Sequence, residues 1–292
     1  MASGANTRAG YTRVVGAPRT GLECLRGGRL NIGALAGFAL VLGMWSYAAF
    51  VLLPMRLRRA RRRVPPLAAG GLGPRFSPQI GGPAVITARD RPADFDEGAD
   101  AYDRCVGPFA GPIFAFALQA IAPHLRSGSR VLDVGCGPGA ALMRVARVVP
   151  DGEVVGVDLS LEMLQLAEAR ARRAGLTNVA LFQADAAELA PTFGGSFDVA
   201  YSCLVHHHFA EPAAAIRGIV ATLRPGGVYA AIDATGPRLT RVATPLARAV
   251  DPGWVRFWTT QTLVDLLRSA GLERVIWTQL APGVGMAVGI RA

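Results

Sequence analysis

Nine residues restrict this chain more than any others. Residues 131–139 read Val-Leu-Asp-Val-Gly-Cys-Gly-Pro-Gly, an apolar strand running into a tight glycine turn, and Ala140–Val149 continues as a helix. The next apolar run, Val154-Val155-Gly156-Val157-Asp158, closes on an acid. A doubly wound α/β sheet is where that succession makes physical sense. Glycines let the backbone approach a ligand, and a carboxylate at the tip of the second strand accepts both hydroxyls of a ribose. A nucleoside-containing cofactor is therefore expected.

The spacing Gly135-x-Gly137-x-x-Ala140 also satisfies the dinucleotide fingerprint, so an NAD-dependent oxidoreductase stands as an alternative. Against it, Pro138 removes a backbone N–H where a pyrophosphate would want a donor. Asp133 precedes the first glycine by two residues, placed for an ammonium directly or through a water. Phe182-Gln183-Ala184-Asp185 ends a third strand with an acid that could accept from an adenine amino group. As a set these runs resemble motif I and its sequel in the class I S-adenosylmethionine-dependent methyltransferases, over about residues 98–292.

The resemblance implies a Rossmann-like seven-stranded α/β sheet with helices on both faces, and S-adenosyl-L-methionine as cofactor. It implies that Asp133, Gly135, Gly137 and Gly139 line the methionine moiety and that Asp158 takes the ribose. Leu159 and Met163 would pack beside the adenine, and Asp185 with the N–H of Ala186 would read its edge. After a fourth strand at 197–203, Ser202 and Cys203 would lie at the cofactor's methyl end. Leu223-Arg224-Pro225-Gly226-Gly227 matches the family's turn into strand five. Ala101-Tyr102-Asp103 and the stretch Leu280–Gly289 resemble the quinone-biosynthesis members, whereas Cys105-Val106-Gly107-Pro108-Phe109 stands where those enzymes carry a further signature. Membrane-anchored methyltransferase-like proteins acting on small lipophilic thiols or phenols are similar in layout.

Methyl transfer from a sulfonium needs alignment and, for some acceptors, removal of a proton. The candidate bases are His207, in the run His206-His207-His208, and Asp233 at the end of strand five. A neutral imidazole can take a phenol or enol proton. Adjacent residues of an extended segment point to opposite sides, so one ion cannot readily gather all three histidines, and no metal site is expected. The four cysteines, Cys24, Cys105, Cys136 and Cys203, show no paired spacing. A cofactor-binding protein without turnover, assisting assembly of a membrane complex, also fits these motifs.

The formal charge of +10 does not describe the domain that carries these motifs. Residues 1–63 hold eleven Arg and one acid, Glu23, while residues 64–292 hold twenty of each sign. A neutral domain lacks the electrostatic footprint of nucleic-acid binding. Ala34–Leu53 contains no charge over twenty residues, long enough to cross a bilayer, and Pro54 followed by six Arg within residues 56–63 closes it. A single N-terminal transmembrane helix is expected, with the heavier Arg flank placing the catalytic domain on the cytoplasmic side. The Arg-bearing, acid-poor N-terminus also resembles an organellar transit peptide.

The expected organisation is a basic segment at 1–33, the transmembrane helix at 34–53, an Arg-rich then Pro/Gly-rich linker at 54–92, and the methyltransferase domain at 93–292. Such a tether reaches roughly 30 Å. Within the domain, a helical region at 98–125 precedes strands near 130–135, 153–158, 178–183, 197–203 and 227–233. Helices are expected near 139–149, 160–174, 211–223 and 260–270. Two final runs, 273–280 and 284–290, join through Pro282-Gly283 as a hairpin. In the regions expected to cap the pocket, Phe109, Phe114, Phe116, Trp254, Phe257 and Trp258 offer aromatic surface. They suit a small, lipophilic acceptor bearing a phenol, enol, thiol or activated ring carbon.

Overall fold

The computed structural model describes residues 79–80, 107–235, 255, 256, 258–281 and 284–292. The expected transmembrane helix at 34–53 and its basic flanks lie outside these residues, as do Tyr102 and Trp254. No helix among the described residues is long and apolar enough to cross a membrane.

The strands are β1 (Gln79–Ile80), β2 (Arg130–Val134), β3 (Glu153–Asp158), β4 (Val179–Gln183), β5 (Phe197–Cys203), β6 (Leu223–Ala234), β7 (Leu272–Ala281) and β8 (Val284–Arg291). The helices are α1 (Gly107–Ile121), α2 (Leu142–Val148), α3 (Leu161–Arg173), α4 (Ala190–Phe193), α5 (Pro212–Thr222) and α6 (Thr260–Ser269). One sheet runs β1-β4-β3-β2-β5-β6-β8-β7, parallel from β1 to β6, with β8 antiparallel to both of its neighbours. Apart from the two-residue β1, this is the expected seven-stranded sheet. From β2 the chain steps outward through β3 and β4, then returns to the other flank at β5. The order therefore reverses between β2 and β5, where such sheets open a crevice at their carboxyl ends.

Strand alternation sends successive side chains to two separate cores. Val131, Val154, Val199 and Tyr201 meet Ile113, Leu142 and Leu164 from α1, α2 and α3. Leu132, Val155, Ala200 and Tyr229 meet Phe193, Ile216 and Leu263 from α4, α5 and α6. Both faces of the central strands are thus dry, which explains their near-continuous apolar sequences.

Three elements differ from the sequence expectation. Gln79–Ile80, inside the expected tether, pairs with Phe182 and Gln183 and covers part of the outer edge of β4. Two residues carry no readable alternation, and the benefit to an edge strand's unpaired backbone groups is tertiary. Strand β6 begins at Leu223, four residues early, but Phe197 pairs with Leu223 and Val199 already with Val228. Residues Arg224, Pro225 and Gly226 form an exposed excursion in between, because Pro225 lacks an N–H and Gly226 has φ +75. Trp258, expected among the pocket aromatics, is only 1% exposed and belongs to the core against α6.

Candidate active site

The turn after β2 is held by backbone bonds. Gly135 and Cys136 donate their N–H groups to Val157 O at 2.8 and 3.1 Å, tying the turn to the tip of β3. Gly135 has φ +67, and a Cβ there would lie 2.4 Å from Val205 Cγ2, so the turn is closed on that side. Gly137 has φ +51, but a Cβ there would meet nothing within 4 Å. The turn is therefore backed by protein at Gly135 and open at Gly137. Arg170 of α3 donates to Pro138 O at 2.6 Å and fixes its outer rim.

Asp158 sits at the tip of β3, aimed by two backbone donors. Oδ2 accepts from Gly137 N at 2.8 Å and Oδ1 from Ser160 N at 2.9 Å. Ser160 Oγ in turn accepts from Met163 N and starts α3. One short segment thus orients the carboxylate and the helix together. Met163 is buried and Leu159 half-buried, with Leu159 O held by Gln183 Nε2 at 2.9 Å. Asp185 accepts from Ala187 N at 2.7 Å and caps the 3₁₀ turn Ala186–Glu188, in which Ala186 is buried.

Asp133 lies below the turn, 2% exposed, and accepts the Tyr201 hydroxyl at 2.6 Å. Burial pushes its carboxyl up to about 7; the Tyr201 bond works against this and the nearby Asp158 charge adds to it. Burial and the Asp133 charge also push the Tyr201 phenol well above its usual range. Cys136 and Cys203 are both buried, and burial together with neighbouring carboxylates raises both thiols well above the ordinary value. They are neutral packing groups rather than nucleophiles.

The tips of β5 and β6 carry a second cluster. Leu204 adopts φ +58, a region unusual for a side chain of this kind, with its N–H bonded to Ile232 O at 2.8 Å. The three histidines follow in a 3₁₀ turn, not in the expected extended segment, so His206 and His207 both reach Asp233. His207 Nδ1 lies 2.6 Å from Asp233 Oδ1, and His207 N donates to Oδ2 at 2.9 Å. Burial alone would raise the Asp233 carboxyl. The charge of His207 and hydrogen bonds from both histidines outweigh it and hold the group well below the usual carboxylate range. The chain returns to this cluster at Val255, whose N–H donates to His207 O at 2.8 Å.

Ser202 was expected at the cofactor's methyl end. It is fully buried, with its hydroxyl 2.8 Å from Tyr229 OH and 3.1 Å from His206 Nε2. Strand alternation explains the difference: Ser202 points to the face opposite Tyr201 and Cys203. Sequence alone gives no signal for the polar roles of Tyr201 and Tyr229, nor for the contact that His206 makes with Tyr229. Each tyrosine lies in a strand and reads as a core aromatic, and their polar partners stand 68 and 23 residues away.

The turn, the aimed Asp158 and the open space at Gly137 suit a nucleoside cofactor with an amino-acid tail. They provide a backbone-lined turn and a carboxylate acceptor. This is the class I methyltransferase arrangement on a Rossmann-like sheet. The methyltransferase domain family matches residues 131–227. Nocamycin O-methyltransferase of Saccharothrix syringae is 32% identical over 205 residues, which are 62% of this chain and 71% of that enzyme. A ubiquinone biosynthesis O-methyltransferase of Ruegeria pomeroyi is 33% identical over 157 residues, 51% of this chain and 62% of that one. Among solved structures, the YcgJ protein of Bacillus subtilis superposes with a TM-score of 0.54 at 21% identity, covering 61% of this chain and 97% of that one. The chain belongs to the S-adenosylmethionine-dependent methyltransferases.

Proposed function

We propose that this protein is a membrane-anchored O-methyltransferase whose acceptor is a small lipophilic molecule with a phenolic or enolic hydroxyl, and that His207 is its general base. The observation that carries the reading is the 2.6 Å contact between His207 Nδ1 and Asp233 Oδ1. A carboxylate at that distance holds a proton on Nδ1, which leaves the lone pair of a neutral imidazole on Nε2. His207 Nε2 then takes the acceptor's hydroxyl proton while the acceptor oxygen bonds to the transferred methyl. Asp233 stabilises the imidazolium that forms.

When bound, S-adenosylmethionine supplies an already activated methyl group with a neutral thioether as leaving group. On the protein's side, Gly135, Gly137 and Gly139 would receive the methionine moiety and Asp158 would orient the ribose. Asp133 would take the ammonium, and Leu159, Met163, Asp185 and Ala186 would bound the adenine. Two of the relatives named above are a nocamycin O-methyltransferase and a ubiquinone biosynthesis O-methyltransferase, which favours oxygen among the acceptor atoms left open by the sequence. Anchoring rests on the uncharged run at 34–53 and its Arg flank, and a bilayer concentrates lipophilic acceptors beside the domain.

The test is turnover of methyl-labelled cofactor by the full chain with a lipid extract, with catechol as a defined acceptor in parallel. Methylated lipophilic phenols or enols support the reading. Turnover confined to tRNA, DNA or protein overturns it, and binding of S-adenosylhomocysteine without any turnover favours an assembly role. Removing residues 1–63 leaves a soluble domain that still binds S-adenosylhomocysteine if the apolar run is an anchor. Aggregation with loss of binding would assign that run to the core.

A further inference from the structure

Beneath the His207–Asp233 pair lies a polar triangle that the proposed chemistry does not use directly. Ser202 on β5, Tyr229 on β6 and His206 in the 3₁₀ turn are all fully buried. Tyr229 OH lies 2.7 Å from His206 Nε2 and 2.8 Å from Ser202 Oγ. On the other side of the same ring, His206 Nδ1 lies 3.5 Å from Asp233 Oδ2, at the outer limit of a hydrogen bond. Asp233 is therefore touched by two histidines, one through each oxygen; His207 N–H shares Oδ2 with His206, and Ala234 N–H shares Oδ1 with the His207 ring.

Donor counting orders this cluster. Tyr and Ser each have one O–H, and a neutral imidazole has one N–H. If His206 carried its proton on Nε2, its Nδ1 lone pair would face the ionised Asp233, acceptor against acceptor, with the Ser202 hydroxyl at 3.5 Å as its nearest donor. With the proton on Nδ1, every group is used. Ser202 O–H donates to Tyr229 O, Tyr229 O–H donates to His206 Nε2, and His206 Nδ1–H donates to Asp233 Oδ2. We propose that Tyr229 is a positioning residue that fixes His206 as the Nδ1–H tautomer, so that His206 braces Asp233 and leaves Oδ1 committed to His207.

The buried setting makes the choice matter, since a mispaired polar group there has no water to turn to. Among the described residues, four further groups lie against the two histidines. Phe209 meets the His206 ring edge-on at 5.2 Å, and His208 lies 4.0 Å from the His207 ring. Cys203 of β5 is near enough to Asp233 for the carboxylate to raise its thiol, and Val255 bonds to the His207 backbone. Tyr229 is the group that meets Nε2 of His206 at the shorter distance, 2.7 Å against 3.1 Å for Ser202.

The proposal rests on the general-base reading for its consequence but not for its test. The chain has only four histidines, so their ring nitrogens can be resolved by ¹⁵N NMR of the full chain labelled at histidine. The expected spectrum assigns His206 as neutral Nδ1–H, and Tyr229→Phe converts it to a mixture or to the other tautomer. A wild-type His206 that is Nε2–H or doubly protonated overturns the proposal, even if the Phe variant does not fold.

In turnover with catechol, Tyr229→Phe lowers kcat about 10- to 100-fold through misaligned groups, with KM and S-adenosylhomocysteine affinity within about twofold. The acid limb of kcat moves to higher pH, because Asp233, relieved of the His206 donor, holds the His207 imidazolium more strongly. Ser202→Ala, which leaves the Tyr229 donor in place, has a smaller effect on all three. Equal losses in the two variants, or a fall in kcat with neither tautomer nor acid limb changed, mean a packing role and overturn it. Full activity of His207→Ala with an intact His206 tautomer would instead remove the base reading alone.

Discussion

The two halves of the crevice are built from different materials. On the β2–β4 side the ligating surface is mostly backbone: a glycine turn bonded to Val157 O, and a carboxylate aimed by the N–H groups of Gly137 and Ser160. On the β5–β6 side the crevice is backed by a network of buried side chains, His206, His207, Asp233, Ser202 and Tyr229, that reach one another across strands. Backbone donors are fixed by the fold and tolerate many side chains around them. A side-chain network depends on every member, since removing one leaves a buried partner unsatisfied. The first half is therefore suited to a constant cofactor, and the second to a proton that must move.

That contrast predicts a clean separation of effects. The largest belongs to the acceptor side: Asp233→Asn should lower kcat by about 10²–10⁴-fold while S-adenosylhomocysteine affinity, read by calorimetry, stays within a few-fold. Equal losses of binding and rate would show that the two halves are not separable. Next comes Asp158→Ala, expected to weaken cofactor binding by roughly 2–4 kcal/mol, since it removes charge-assisted bonds to two hydroxyls. Near-unchanged affinity in the folded variant would place the ribose elsewhere.

Asp133 sharpens the comparison because it is an acid buried directly under the glycine turn, 2% exposed. Its folded carboxyl sits at about 7 against an ordinary 3.8, so the protonated form is the one folding prefers. The stability it confers is full below about 4 and is lost as pH rises through about 7. Asp133→Asn should accordingly melt higher than the wild type at pH 8, with the advantage shrinking toward pH 4. The same variant should bind cofactor more weakly, for want of a carboxylate near the ammonium. A thermal shift that is flat with pH would mean that Asp133 is already ionised and compensated.

The smallest effect tests whether the cofactor side is truly backbone-made. Ser160→Ala removes the cap of α3 and should cost about 1 kcal/mol in stability. Cofactor affinity should stay within twofold, because Ser160 reaches Asp158 through its N–H, which alanine keeps. A tenfold loss of affinity would show that the hydroxyl itself contributes to the site.

What could be read from the sequence follows the same division. The glycine turn, Asp158 and the strand–helix alternation were legible because their signals are local. Positive φ demands glycine at 135, 137 and 139, a buried strand shows as a short apolar run, and the acid falls at the end of its own strand. His207 and Asp233 were each singled out, but as separate candidates. Their contact spans 26 residues and depends on β5 and β6 lying side by side with the histidines in a 3₁₀ turn. Periodicity carries no information about such a pairing.

The sequence by itself determined the strand–helix succession, a nucleoside-containing cofactor and the candidate acids, since apolar runs and glycine conformation act within one element at a time; the sheet and the particular cofactor came from the family resemblance. Tertiary structure alone decided that Ser202 faces Tyr229, that Trp258 is core and that Gln79–Ile80 joins the sheet. It also decided that one carboxylate serves two histidines. Those outcomes depend on which faces meet once the strands are ordered, and on burial that makes every polar group find a partner.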